Sequence, residues 1–214
     1  MDKPRISLIF PEQYAETAAM LGRAFVDDPL LVAIVGKITD TSQRATRIGH
    51  LFKVVLRSHR HEGQPVIGVM KGERVAAAAI VEYVTRPGAT AIIVMGGLTL
   101  LPELFKAAGF AGVVRAISTL DTLSRNRPTE PHIYLNILGV EPEFQRRHFG
   151  VAILDFLREQ ASLRNDFSGV YLETATESNL AYYGHIGYTV LSEIYPLGVR
   201  MWRMLQPCAA APPK

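Results

Sequence analysis

Three observations predict a single mixed α/β domain. The 214 residues, 48% hydrophobic and 20% charged, suit one α/β domain or at most two small ones, with ample apolar material to bury. Strand-like and helix-like segments follow one another with no internal repeat and no linker long enough to mark a boundary. One segment, His132–Val140, is apolar on both faces, which marks a strand in the middle of a sheet.

Taken in order, residues 6–10 (ISLIF) read as a short strand. Pro11 suits the first turn of a helix, and Ala15, Ala18, Ala19, Leu21 and Phe25 supply its apolar stripe. Asp27-Asp28-Pro29 ends that helix, because a residue before proline avoids the α region. Ile48, Leu51, Phe52, Val55 and Leu56 predict a second helix over 41–59, closed by His59-Arg60-His61 and Gly63. Residues 65–70 and 74–84 form two antiparallel strands around Lys71-Gly72-Glu73. The helical period over 98–125 breaks at Gly109 and Gly112, which gives two helices or one broken helix. Pro128 and Pro131 bracket a loop before the central strand, within which Gly139 signals a bulge or a close approach by another part of the chain.

Glu141-Pro142-Glu143 then turns the chain into a helix carrying Phe149, Ala152, Ile153, Phe156 and Leu157 on one face. A strand over 171–174 is followed by a polar turn to Asn179, and a short helix over 182–188 ends at Gly187. Residues 189–195 and 199–205 close as an antiparallel pair around Pro196-Leu197-Gly198. The Pro/Ala-rich stretch 207–214 reads as a loose tail.

A net charge of +3 is too slight for a partner held by charge alone, such as duplex nucleic acid. The lone Cys208 forms neither an intramolecular disulfide nor a Cys-based zinc site. The first residues have no apolar leader behind them, and the longest uncharged run, 88–102, is too short to span a bilayer. A soluble cytoplasmic protein is expected. His59-x-His61 resembles a metal-binding pair, but a helix terminus explains it and no third ligand lies close in sequence. No phosphate-binding loop of the NTPase type is present.

The chemistry concentrates in the second half. Gln145-Arg146-Arg147-His148-Phe149-Gly150 joins the C-terminal end of a strand to a helix N-terminus, where unpaired amides and the positive dipole end suit a phosphate. Two arginines add charge that a diphosphate would favour. An ordinary connection with solvated arginines fits this loop equally well.

The following segment separates the two readings. Leu138-Gly139-Val140-x-Pro142-x-x-Gln145-x-x-x-x-Gly150 resembles the acetyl-CoA motif of the GNAT N-acetyltransferase superfamily. Leu172-Glu173-Thr174, then Asn179-Leu180, then Tyr183-x-x-x-Gly187-Tyr188, is similar to the family motif that follows it. The nearest type is puromycin N-acetyltransferase, with the match running over roughly 125–207 and including Trp202. Ala24-Phe25-x-Asp27-x-Pro29 and the helical insert near 98–125 also resemble that type.

The resemblance implies one GNAT domain over 1–214, with a mixed, mainly antiparallel central sheet flanked by helices. It implies an acetyl-CoA-dependent acyltransferase acting by direct transfer on a small-molecule amine, without metal, nucleic acid or membrane, as a monomer or homodimer. Acetyl-CoA would lie along the strand ending at Val140, its pantetheine paired with backbone at Leu138 and Val140. A free amide near a bulge at Gly139 would polarise the thioester carbonyl. The amides of Arg146, Arg147, His148, Phe149, Gly150 and Val151 would cradle the pyrophosphate, with Gln145 and Asn179 also at the cofactor. Tyr183 takes the family position of the acid that protonates the thiolate, and as a residue it also fits a core aromatic. Glu173 takes that of the base, direct or through water, and also fits a carboxylate that only hydrogen-bonds a neighbouring loop. Glu82 or simple desolvation of the amine stands behind it. His148 departs from the family, which has glycine there; it either turns outward or crowds the cofactor. A non-catalytic acyl-CoA-binding module on the same fold is the rival reading.

Overall fold

Every strand-like segment joins one sheet. The computed structural model of the protein describes residues 4–85, 97–125 and 127–208. Its strands are β1 (Ile6–Leu8), β2 (Val66–Lys71), β3 (Arg74–Val84), β4 (His132–Val140), β5 (Gly169–Thr174), β6 (Thr189–Ile194) and β7 (Met201–Pro207). They lie in the order β1-β2-β3-β4-β5-β7-β6, antiparallel except for β4 and β5. The strand that is apolar on both faces takes the central place, as expected.

Helices cover both faces. On one side lie α1 (Tyr14–Ala24), α2 (Pro29–Val35), α3 (Thr41–His61) and α4 (Gly97–Ser124), around Met20, Leu21, Ile48, Phe52 and Ile80. On the other lie α5 (Phe149–Ser162) and α6 (Glu177–His185), with Ile153 and Leu157 packed on Ile133, Leu135, Val170 and Leu172. Ala76, Ala77, Ala78 and Ala79 of β3 are fully buried, and small side chains there let helices approach the sheet from both sides.

Several boundaries differ from the sequence reading, each for a local reason. Asp28-Pro29 ends one helix and also begins another: the Asp28 carboxylate accepts from the Leu31 amide at 3.0 Å and Pro29 opens α2. The polar turn expected up to Asn179 is the first turn of α6, whose N-cap Thr176 accepts from the Asn179 amide at 3.4 Å. In α4 the break falls at Gly109 alone (φ 61°). Gly112 remains helical, and a Cβ there would come within 3.0 Å of the Ile34 carbonyl oxygen, so its glycine lets α2 and α4 touch. Pro207 closes β7 and the Cys208 amide donates to the Ser168 carbonyl, so the first residues of the expected tail are tied to the sheet. Residues 209–214 and most of the uncharged run 88–102 lie outside the described residues.

Candidate active site

The central parallel pair does not stay paired. Residues Ile133, Leu135 and the intervening Tyr134 match Val170, Leu172 and Tyr171, yet β4 runs on to Val140 and β5 to Thr174. The break coincides with a bulge: Ile80 of β3 pairs with Ile137 and the next residue, Val81, with Leu135, so Asn136 is left without a partner on β3. The extra residue reverses the facing of the strand. Before it, Ile133 and Leu135 pack toward α5; after it, Leu138 and Val140 do. The bulge is thus at Asn136 and not at Gly139. Gly139 answers to the other expectation, close approach, since a Cβ there would lie 2.5 Å from Leu21 Cδ2 and 3.0 Å from Phe25 Cε2.

Where the strands part, a cavity of about 210 Å³ opens. Asn136, Ile137 and Leu138 line it on the β4 side, and Thr174, Asn179 and Tyr183 on the other. At the far end of β4, the Arg23 guanidinium holds Glu141 through two hydrogen bonds of 2.9 and 2.6 Å, which fixes the chain as it leaves the sheet. Gln145 Nε2 donates to the Val140 carbonyl at 3.4 Å.

The Gln145–Gly150 loop has the backbone of an anion cradle. Arg146 (φ 61°) and His148 (φ 63°) are both left-handed, a conformation that turns successive amides toward one side. Asp28, Asp40 and Thr176 cap α2, α3 and α6, whereas His148 at the N-cap of α5 places no side-chain hydrogen bond on the helix amides. The side chain of His148 is exposed. Its positive φ also explains why a glycine suits this position. At Gly150 a Cβ would meet Val140 only at 3.6 Å, an ordinary contact. Packing within the protein does not demand that glycine, and the surface over the α5 amides stays open.

Tyr183 projects from α6 between Tyr182 and Tyr188, with ring centroids at 5.5 and 5.3 Å. Burial pushes its hydroxyl up to about 12, so it carries its proton at neutral pH. Among the described residues the hydroxyl makes no hydrogen bond within the protein, and the residue lines the cavity.

Glu173 stands one residue from the end of β5 and lines the cavity, tied into a hydrogen-bonded network. Its side chain is 4% exposed, and its two oxygens accept the hydroxyls of Tyr171 (2.7 Å) and Tyr134 (2.6 Å). Arg203 Nε lies 3.6 Å away, while its Nη2 donates to the carbonyls of Thr122 and Leu123 at the end of α4. Arg127 stacks its guanidinium 4.4 Å from the Tyr134 ring centroid and donates to the Leu123 carbonyl. Two cations therefore meet a helix C-terminus and a buried carboxylate together, which fastens α4 over the network. Burial and the neighbouring Glu173 charge hold both tyrosine hydroxyls protonated. Glu173 and Tyr134 both line the cavity.

Sequence reasoning missed Tyr134, Tyr171, Asn136, Arg127 and Arg203. One signal was available: Tyr171 and Glu173 share a face at a spacing of two, opposite Val170 and Leu172, and Tyr134 likewise alternates with Ile133 and Leu135. Glu82 is buried beside this network, opposite Tyr134 in the β3–β4 register, and burial raises its carboxyl. It does not line the cavity. His59 is buried with Nε2 3.1 Å from the Val81 carbonyl oxygen. Among the described residues no group of three or more His, Cys, Asp or Glu side chains could hold a metal, and no helix is long and apolar enough to cross a membrane.

No family model matches the sequence. Among solved structures the chain is similar to a Corynebacterium glutamicum protein described as histone acetyltransferase HPA2 and related acetyltransferase. The TM-score is 0.69 at 17% identity, covering 98% of this chain and 99% of that one. It is also similar to arylalkylamine N-acetyltransferase 2 from Aedes aegypti (TM-score 0.55, 14% identity, 95% and 98% covered). A third likeness is to the ribosomal-protein-S18-alanine N-acetyltransferase of Escherichia coli (TM-score 0.52, 15% identity, 97% and 96% covered). At such identities the likeness is one of fold. The fold is that of the GNAT acetyltransferases, a mostly antiparallel seven-stranded mixed sheet between helices, as the motifs implied.

Proposed function

We propose that the protein is a cytoplasmic, acetyl-CoA-dependent N-acetyltransferase that moves an acetyl group directly to an amine of a small molecule. Its sequence motifs resemble those of the puromycin N-acetyltransferase type. The observation that carries the reading is the line from the uncapped α5 amides, along the edge of β4 freed by the splay, to the cavity holding Tyr183. From Val140 to Asn136 that edge measures about 13 Å at a strand's rise per residue, room for an extended arm.

In this reading the amides of residues 146–151 hold the pyrophosphate, and Leu138 and Val140 offer backbone groups to the arm. The co-substrate supplies an acetyl thioester. The register break at Asn136, in place of Gly139, supplies the backbone group that polarises its carbonyl. The amine's proton passes through the Tyr134 hydroxyl to Glu173, and Tyr183 gives its own proton to the departing sulfur.

Acetyl-CoA is expected to bind with micromolar affinity, about −8 kcal/mol, and to raise the melting temperature by linkage. Calorimetry and thermal shift check this; no heat and no shift at saturating acetyl-CoA would remove the basis of the reading. His148→Gly is expected to leave that affinity unchanged or tighten it, with melting unchanged or slightly higher. Glycine relieves a left-handed strain of about 1 kcal/mol and adds a comparable unfolded-state entropy. A clear loss of affinity would instead assign the imidazole to the phosphates.

A further inference from the structure

Resting on the acetyl-transfer reading, we infer that the acceptor is a primary amine on a compact apolar body, an arylalkylamine or alkylamine, and not a polyol, polyamine or peptide. The cavity does not end at the splay. It continues under the helical layer, where Leu31 and Ile34 of α2, Leu51 and Val55 of α3, and Leu120 and Leu123 of α4 wall it. The whole cavity, including the end at the splay where the acetyl group would sit, measures about 210 Å³ against the roughly 150 Å³ in which an apolar cavity accepts benzene, which favours a small aryl or alkyl body.

The wall is built in place. Arg203 and Arg127 fasten the C-terminal end of α4, Arg115 Nε donates to the Ile34 carbonyl at 2.9 Å, and His50 Nδ1 lies 2.9 Å from Glu103 Oε2. Among the described residues the helices contribute Asp28, Ser58 and Thr119 as polar lining groups, and the other polar groups, Tyr134, Asn136, Glu173, Thr174, Asn179 and Tyr183, come from the strands and α6 where the acetyl group is transferred. The Asp28 carboxylate is already engaged as the cap of α2, and burial raises its pKa. The Thr119 hydroxyl is buried and makes no hydrogen bond within the protein among the described residues, enough for one polar atom of a ligand. A polyol would leave most of its hydroxyls unpaired here, and a polyamine would bury a second cation. An apolar wall also favours the neutral form of a bound amine, the form that attacks the thioester.

The test uses the full chain with acetyl-CoA and a free-thiol readout. Acceptors are 2-phenylethylamine, hexylamine, spermidine, kanamycin and an alanine-terminated peptide. The two apolar amines should exceed each of the others at least 100-fold in kcat/KM. Ala116→Leu, which adds bulk to the cavity wall, should lower kcat/KM for 2-phenylethylamine 10-fold or more and leave acetyl-CoA affinity unchanged. Preference for spermidine, kanamycin or the peptide overturns the inference while acetyl transfer stands. Loss of acetyl-CoA binding overturns the transfer reading itself. In that event calorimetry with 2-phenylethylamine alone decides for the cavity: binding that Ala116→Leu weakens supports the inference, and no binding overturns it.

Discussion

Tyr183→Phe is expected to lower kcat about 100-fold or more, while KM for acetyl-CoA and the melting temperature change little. The ring is held by Tyr182 and Tyr188, so the phenylalanine keeps its packing and only a hydroxyl is lost. That hydroxyl makes no hydrogen bond within the protein among the described residues, so its removal orphans no partner there. Its effect on rate therefore reports chemistry and not folding. With its hydroxyl raised to about 12 by burial, Tyr183 remains a proton donor across the range in which the protein is assayed. The wild-type kcat should show no loss from Tyr183 ionisation below pH 10. The same shift bears on stability. The native tyrosine holds its proton where the unfolded one, at about 10, gives it up, so that contribution is complete below pH 10 and lost as pH rises toward 12. An unchanged kcat with saturating substrates, under conditions where chemistry limits turnover, returns Tyr183 to the role of a core aromatic.

The sequence was most informative where a local rule sufficed. The central strand, the cationic end of α3, the turn at Gly72 and the loop into α5 each follow from residues within one or two turns of the feature. The bulge at Asn136 was hidden because Ile137 and Leu138 are both apolar, so the residue types do not show which of the two continues the face of Leu135. Gly139 was visible as special, but only Leu21 and Phe25, more than a hundred positions away, decide between its two explanations. Glu173 was located by motif, yet its environment comes from Tyr134, Arg127 and Arg203, on segments that meet only in the folded sheet. The acceptor cavity is the extreme case. Its walls are ordinary helical apolar residues from α2, α3 and α4, which no motif distinguishes from core.

That environment sharpens what Glu173→Gln should do. An amine resembling the lysine side chain, with a pKa near 10.4, is free base in only about one molecule in 2,500 at pH 7. A route for its proton therefore matters to rate. Glutamine keeps the shape and can accept one tyrosine hydroxyl, but it cannot receive a proton from Tyr134. We expect kcat/KM to fall 10- to 100-fold at neutral pH, with partial recovery as pH rises and free amine accumulates, and acetyl-CoA binding to remain. Stability should fall too, by up to about 3 kcal/mol, because the buried carboxylate faces Arg203 and its loss leaves that cation less compensated. Since a folding defect alone lowers apparent activity, the pH–rate profile and a second variant separate the causes. Tyr134→Phe removes the connecting hydroxyl and keeps the Glu173 charge. If the proton passes through Tyr134, the two single variants share one pH dependence, and the double variant is little slower than either. Independent, additive losses would break the relay. A Glu173→Gln variant with wild-type pH dependence and lowered stability alone would make Glu173 an anchor for α4. Deprotonation would then rest on the apolar cavity itself, with Glu82, already raised by burial, as the next carboxylate to remove.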